Sequence, residues 1–221
     1  MSQFDLGSKG IQEYDEYFTM LHKFFNTLEK TDNLNPNLSE LKLENDKRIF
    51  YSDQLRLLIN KLTEIVIIPK SLALFLTDTK NYNFNEIIMM QIYGSLLQYS
   101  ILISYANIEN LFLLMLQNTK VGSNNIIKGN DPLGSLLTKI FELDIKKILN
   151  EDMIRKTLDI KFRNSLAHGW VRIENRKTMY SENFDSKPKI MEYEELFERI
   201  LKLKIFGLAL LSYCLWQRME Q

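Results

Sequence analysis

Apolar residues recur at three- and four-residue intervals along most of this chain, the period of an α-helix that buries one face. Ile11, Tyr14, Phe18, Leu21, Phe25 and Leu28 keep that spacing over residues 11–28, and the turn formers of 31–36 end it. Ser39 opens a second predicted helix through Leu55, Leu58, Leu62 and Ile65 to Ile68, where Pro69 stops or kinks the chain. A short helical turn over 71–76 and an Asn-rich polar segment, 78–85, lead into a long helix predicted over 86–117.

Residues 121–131 have loop composition, and the pattern there shows no core-forming side chains. Pro132 suits a helical first turn, so a helix is predicted over 132–149 with Asp131 at its N-cap. Asn150, Glu151 and Asp152 start the next helix, to about residue 168, with acidic groups where the helix dipole favours them. Beyond Gly169 the period changes to two: Trp170, Arg172 and Glu174 alternate with Val171 and Ile173, a turn follows at 175–177, and 178–180 return as a hairpin. Residues 181–187 read as surface loop, 189–191 as one more short strand, and 192 or 193 begins a last helix to 219. The predicted class is all-α with a small β-hairpin before the last helix, divided into N-terminal helices over 1–80 and a bundle over 81–221.

Composition narrows the function classes. The 28 basic and 28 acidic residues cancel, so no global field draws the chain onto nucleic acid or anionic lipid, and any polyanion must be met locally. Cys214, the single cysteine, excludes an intrachain disulfide framework and a thiolate zinc site, and its apolar surroundings suit a small buried hydrophobe. Residues 87–108 are uncharged and long enough to span a bilayer. Polar Gln91, Ser95 and Gln98 recur on one stripe that Glu109 continues, so the segment reads as a central bundle helix rather than a membrane span. The first residues lack a basic start and an apolar core, so no signal peptide is expected and the cytoplasm is the predicted compartment.

The chemistry concentrates in Arg163-Asn164-Ser165-Leu166-Ala167-His168, followed by Gly169. Arg163 offers a planar fork of donors that fits phosphate oxygens. An imidazole exchanges protons near neutral pH, and Gly169 as the C′ residue leaves His168 in the last helical turn beside unpaired carbonyls. Asn164 and His168 share a face, while Arg163 and His168 leave the helix about 140° apart. A site using both is easier to build where two copies meet across a two-fold axis, which points to a homodimer. The same residues also suit a plain capped helix end.

This heptad resembles the signature of HEPN domains, in which an Arg, a polar residue, three variable residues and a His follow one another. The order of long helix, hairpin and last long helix over about 86–219 resembles these bundles too. The resemblance implies an antiparallel helical bundle and a metal-independent endoribonuclease, active as a homodimer, in which a ribose 2′-hydroxyl attacks the adjacent phosphorus. It implies that Arg163 binds the phosphate, His168 transfers the proton and Asn164 orients the substrate or the histidine. It implies RNA as substrate, no cofactor and no metal, and a setting among toxin–antitoxin, abortive-infection or RNA-processing systems. A second function class stays open: a non-catalytic HEPN-like module that dimerises or binds a partner such as a nucleotidyltransferase-type antitoxin.

Around the motif, Arg155, Lys156, Lys161, Arg172, Arg176 and Lys177 form a positive excess. Lys161 and Arg172 are the expected RNA-backbone contacts, with a solvated face as the bland alternative. Trp170 suits base stacking or packing, Glu109 suits a dimer cleft or solvent, and His22 reads as structural.

Overall fold

The computed structural model describes residues 7–31, 84–122, 125–174, 177–183 and 185–219. The helices expected over 39–68 and 71–76, and Arg176, lie outside them. The described elements are α1 (Gly7–Glu29), α2 (Phe84–Leu116), β1 (Lys120–Val121), β2 (Asn125–Ile126), α3 (Leu133–Leu143), α4 (Glu151–Thr157), α5 (Ile160–Ala167), β3 (Val171–Glu174), β4 (Lys177–Tyr180), β5 (Lys189–Glu192) and α6 (Tyr193–Met219). The described residues are mostly helical, with two small antiparallel sheets among them, β1-β2 and β3-β4-β5.

The core forms where α6 packs between α1 and α2. Tyr17 of α1 meets Phe206 of α6 edge-on with centroids 5.2 Å apart, and Phe25 stacks on Tyr213 at 4.9 Å. Phe112 of α2 reaches the same Phe206, so one aromatic seam joins the three helices. Each fully buried aromatic or aliphatic side chain contributes roughly 1.5–3 kcal/mol relative to exposure. The Tyr17 and Thr157 hydroxyls share a 2.6 Å hydrogen bond that ties α1 to α4. The window Leu97–Leu116 of α2 is long and apolar enough to cross a membrane, and 61% of it is buried within the protein. Its buried hydroxyls, Ser100 and Ser104, donate to the carbonyls of Leu97 and Ser100 in their own helix.

Four expectations are corrected. The segment over 121–131 does supply core: Val121 and Ile127 are buried, and main-chain bonds from Asn118 to Ile127 and from Ile127 to Thr119 close the β1-β2 ribbon. Two isolated anchors in a polar string leave no periodic signal. Helix α3 ends at Leu143 instead of 149, because the Asp144 carboxylate accepts from the N–H groups of Ile148 and Leu149 and turns the chain. Asp131 does not cap α3 either: it accepts from Lys128 N–H and Lys139 Nζ, while Glu109 reaches across from α2 to accept the Leu133 N–H at 3.0 Å. Finally, the single helix expected over 152–168 is two helices. Buried Leu158 leaves helical geometry, and Asp159 caps α5 by accepting from Phe162 N–H at 3.0 Å.

The expected hairpin forms, and the short strand expected over 189–191 is β5, paired to β4. The register runs Val171↔Tyr180 to Glu174↔Lys177 between β3 and β4, and Lys177↔Glu192 to Tyr180↔Lys189 between β4 and β5. Val171, Thr178, Tyr180 and Met191 face inward.

Candidate functional site at the end of α5

Helix α5 is short because both ends are fixed by side-chain and turn chemistry. At its start, the Asp159 carboxylate divides its oxygens: Oδ1 accepts from Phe162 N–H and Oδ2 accepts from Arg199 Nη1 of α6 at 2.7 Å. Arg199 also donates to Glu195 at 2.9 Å. The Tyr105 hydroxyl of α2 donates to the Asp159 carbonyl at 3.3 Å, and burial, reinforced by the nearby Asp159 charge, pushes its phenol well above the ordinary range. Tyr105 is therefore a neutral donor. Three helices thus converge on the residue that starts the motif helix.

At its end, Gly169 adopts φ +70°, the left-handed conformation that costs glycine least. Its N–H binds the Leu166 carbonyl, and Trp170 N–H binds the Ser165 carbonyl at 2.8 Å. This pair of bonds is a Schellman turn, which satisfies carbonyls the helix would leave open. The Trp170 carbonyl then accepts from Ser181 N–H, and the buried Ser165 hydroxyl lies 2.8 Å from the Lys161 carbonyl and 2.6 Å from the Ser181 carbonyl. Helix, turn and sheet are one hydrogen-bonded unit.

Phe162, Ser165 and Leu166 face inward. Arg163 and Asn164 are half-buried and His168 is exposed. Arg163 Nη1 donates to the Asn164 side-chain oxygen at 3.2 Å, which brings the guanidinium round toward the face that Asn164 shares with His168. His168 stacks on Trp170, with centroids 4.7 Å apart and planes 26° apart, so the indole's observed partner is the motif histidine. An exposed imidazole, a guanidinium and an amide on one short helix supply a proton carrier and anion-binding donors.

The expected positive excess is mostly paired. Lys161 binds Glu182 at 3.1 Å, Arg155 binds Glu151 at 2.7 Å and lies over the Phe141 ring, and Lys177 binds Glu192 at 3.4 Å. Lys189 also binds Glu182; its hydrogen bond and that of Lys161 hold the Glu182 carboxyl below the usual carboxylate range. Lys156 and Arg172 are exposed, Arg172 on β3 opposite Met179. Glu109 serves as the α3 anchor described above. His22 packs between Phe18 and Tyr213, each ring 5.9 Å away, remote in the chain from the motif. Among the described residues no cluster of His, Cys, Asp and Glu is able to hold a metal ion.

Sequence reasoning missed Asp159, Arg199, Ser165 and Glu182. For Asp159 a signal existed, since Asp three residues before a buried aromatic has the spacing of an N-cap. The other three act across 16 to 40 residues of chain or from a loop, and no local pattern marks them. No family model, curated protein or solved structure matches the chain.

Proposed function

We propose that this chain is a metal-independent endoribonuclease of the HEPN type, an antiparallel helical bundle active as a homodimer. One observation carries the reading: the Schellman turn at Gly169 leaves His168 exposed at the end of the helix where Arg163 and Asn164 are already joined. In the proposed reaction the ribose 2′-oxygen attacks the adjacent phosphorus. The bond from phosphorus to the 5′-oxygen breaks, leaving a 2′,3′-cyclic phosphate and a 5′-hydroxyl. A His168 imidazole takes the 2′-hydroxyl proton, and an imidazolium, supplied by the second copy, protonates the departing 5′-oxygen. Arg163 neutralises charge on the non-bridging oxygens, and Asn164 orients Arg163 through the bond already present.

Acid–base help of this type is worth about 10² to 10⁴ in rate, so His168→Ala should lose that much. The test incubates the protein with a structured RNA in excess EDTA and looks for cyclic-phosphate ends, with Arg163→Ala and His168→Ala in parallel. Equal background from all three proteins, without cyclic-phosphate ends, would sink the reading.

A second reading, a non-catalytic module that dimerises or binds a nucleotidyltransferase-type partner, draws support from the ion pairs around α5. They cancel much of the positive charge that an RNA backbone would meet.

A further inference from the structure

Glu182 receives two ammonium groups from separate elements. Lys161 of α5 stands 3.1 Å away, and Lys189 of β5 makes a shorter contact with the other oxygen. The side chains of Lys161 and Lys189 are 70% and 55% exposed, whereas that of Glu182 is only 22% exposed. The carboxylate is the inner member, and both cations stay open to solvent.

Position links this cluster to the motif. Lys161 lies seven residues before His168, hence on the same face of α5 and about 10 Å away along the axis. The backbone that carries Glu182 is fixed to that helix, because Ser165 lies within hydrogen-bond distance of the Ser181 carbonyl. We infer that Lys161 and Lys189 form an anion seat beside the motif, occupied by Glu182 in the free protein and by an RNA phosphodiester in the bound one. The identity of the ligand rests on the ribonuclease reading.

The exchange is favourable on general grounds. The two ammonium groups are exposed, so solvent and salt screen both pairs and Glu182 holds the seat loosely. A polyanion gains counterion release at every phosphate it has neutralised, a gain that a single carboxylate lacks. Lysine suits the role, since a flexible point charge follows either ligand. The molecule also carries its own control. Glu198 of α6 likewise receives two lysines, Lys9 at 3.4 Å and Lys202 at 2.9 Å, on the α1 side of α6. Its neutralisation changes the net charge equally, at a pair of lysines that are not Lys161 and Lys189.

The test measures binding of a fluorescent single-stranded RNA by anisotropy in a His168→Ala background, so that no cleavage intrudes. Glu182→Gln should tighten binding about three- to tenfold at low salt, and Glu198→Gln by less than about twofold. Lys161→Met with Lys189→Met should weaken binding and reduce the salt slope by about 1.4, at about 0.7 per single-strand contact. In that double variant Glu182→Gln should have no further effect. Equal responses to Glu182→Gln and Glu198→Gln, persistence of the Glu182 effect without the lysines, or no RNA binding by any variant would each overturn the seat. Cleavage by the wild type with binding indifferent to Glu182→Gln removes the seat and keeps the ribonuclease. Tighter binding by Glu182→Gln without cleavage does the reverse. Except for the part-buried Glu182, the substitutions are on exposed side chains, and circular dichroism checks the fold.

Discussion

Replacing Asp159 by alanine removes two interactions at once, the cap on Phe162 N–H and the 2.7 Å pair with Arg199. An N-cap is worth about 0.5–2 kcal/mol. The ion pair joins side chains that are 26% and 31% exposed, so solvent screens it and it adds ~1 kcal/mol or less. Arg199 keeps Glu195 as a partner, so no stranded cation adds to the loss. The expected cost of Asp159→Ala is therefore about 1–3 kcal/mol. Asp159→Asn keeps the cap, because Asn serves there as well as Asp, and should cost ~1 kcal/mol or less. In a chain of this length those losses correspond to Tm decreases of about 3–10 °C and ~3 °C or less. Urea denaturation followed by circular dichroism gives the free energies, provided that the slope with denaturant stays constant. Equal losses from the Asn and Ala variants would show that the cap contributes nothing. An Ala variant within about 0.5 kcal/mol of the wild type would refute the view that α5 is held by its first residue.

Gly169→Ala places a side chain on a residue with φ +70° and should cost about 1–2 kcal/mol in thermal denaturation. A Cβ there meets nothing within 4 Å, so the loss would be conformational, and Gly169→Asn should recover part of it. Lys139→Met removes the partner of Asp131 in a pair whose side chains are only 15% and 12% exposed, and should cost roughly 2–4 kcal/mol at pH 7. Burial alone would raise the Asp131 carboxyl, but the bonds from Lys139 and from Lys128 N–H outweigh it and hold the carboxyl below its ordinary range. The stabilisation is thus complete above the unfolded carboxylate value of about 4 and is lost as pH falls through the lower folded one. Urea titrations should find the gap between wild type and Lys139→Met narrowing on acidification below that value, and a gap independent of pH would contradict the assignment.

The elements that were legible in the sequence are those whose signals are local. Gly169 announced a left-handed helix end, Asn150 announced the cap that it forms on Met153, and the uninterrupted apolar spacing of the last helix matched Tyr193–Met219. The elements that were not legible depend on distant partners. Asp131 looked like a cap because it precedes Pro132, but Lys139, nearly two helix turns inside α3, competes for its carboxylate, and Glu109, 24 residues before Leu133, takes over the Leu133 N–H. Leu158 and Asp159 broke a periodic run because burial of the leucine and capping by the aspartate both outweigh the modest preference for continuing the helix. The same division holds at the site. Arg163, Asn164 and His168 were visible as residues, whereas the bond between Arg163 and Asn164, the stacking of His168 on Trp170 and the bridge through Glu182 exist only in three dimensions.

Ser165 carries a consequence for how this motif can change. Its hydroxyl has one proton and two carbonyls within reach, those of Lys161 and Ser181, and its side chain has no exposed surface. Larger residues have no room, and alanine would leave the Ser181 carbonyl without this donor. Ala167, two positions later, faces solvent and meets no such constraint. Among the three residues that separate Asn164 from His168, neutral drift should therefore spare position 165 and run freely at 167, so the spacer is a constrained joint followed by an open site.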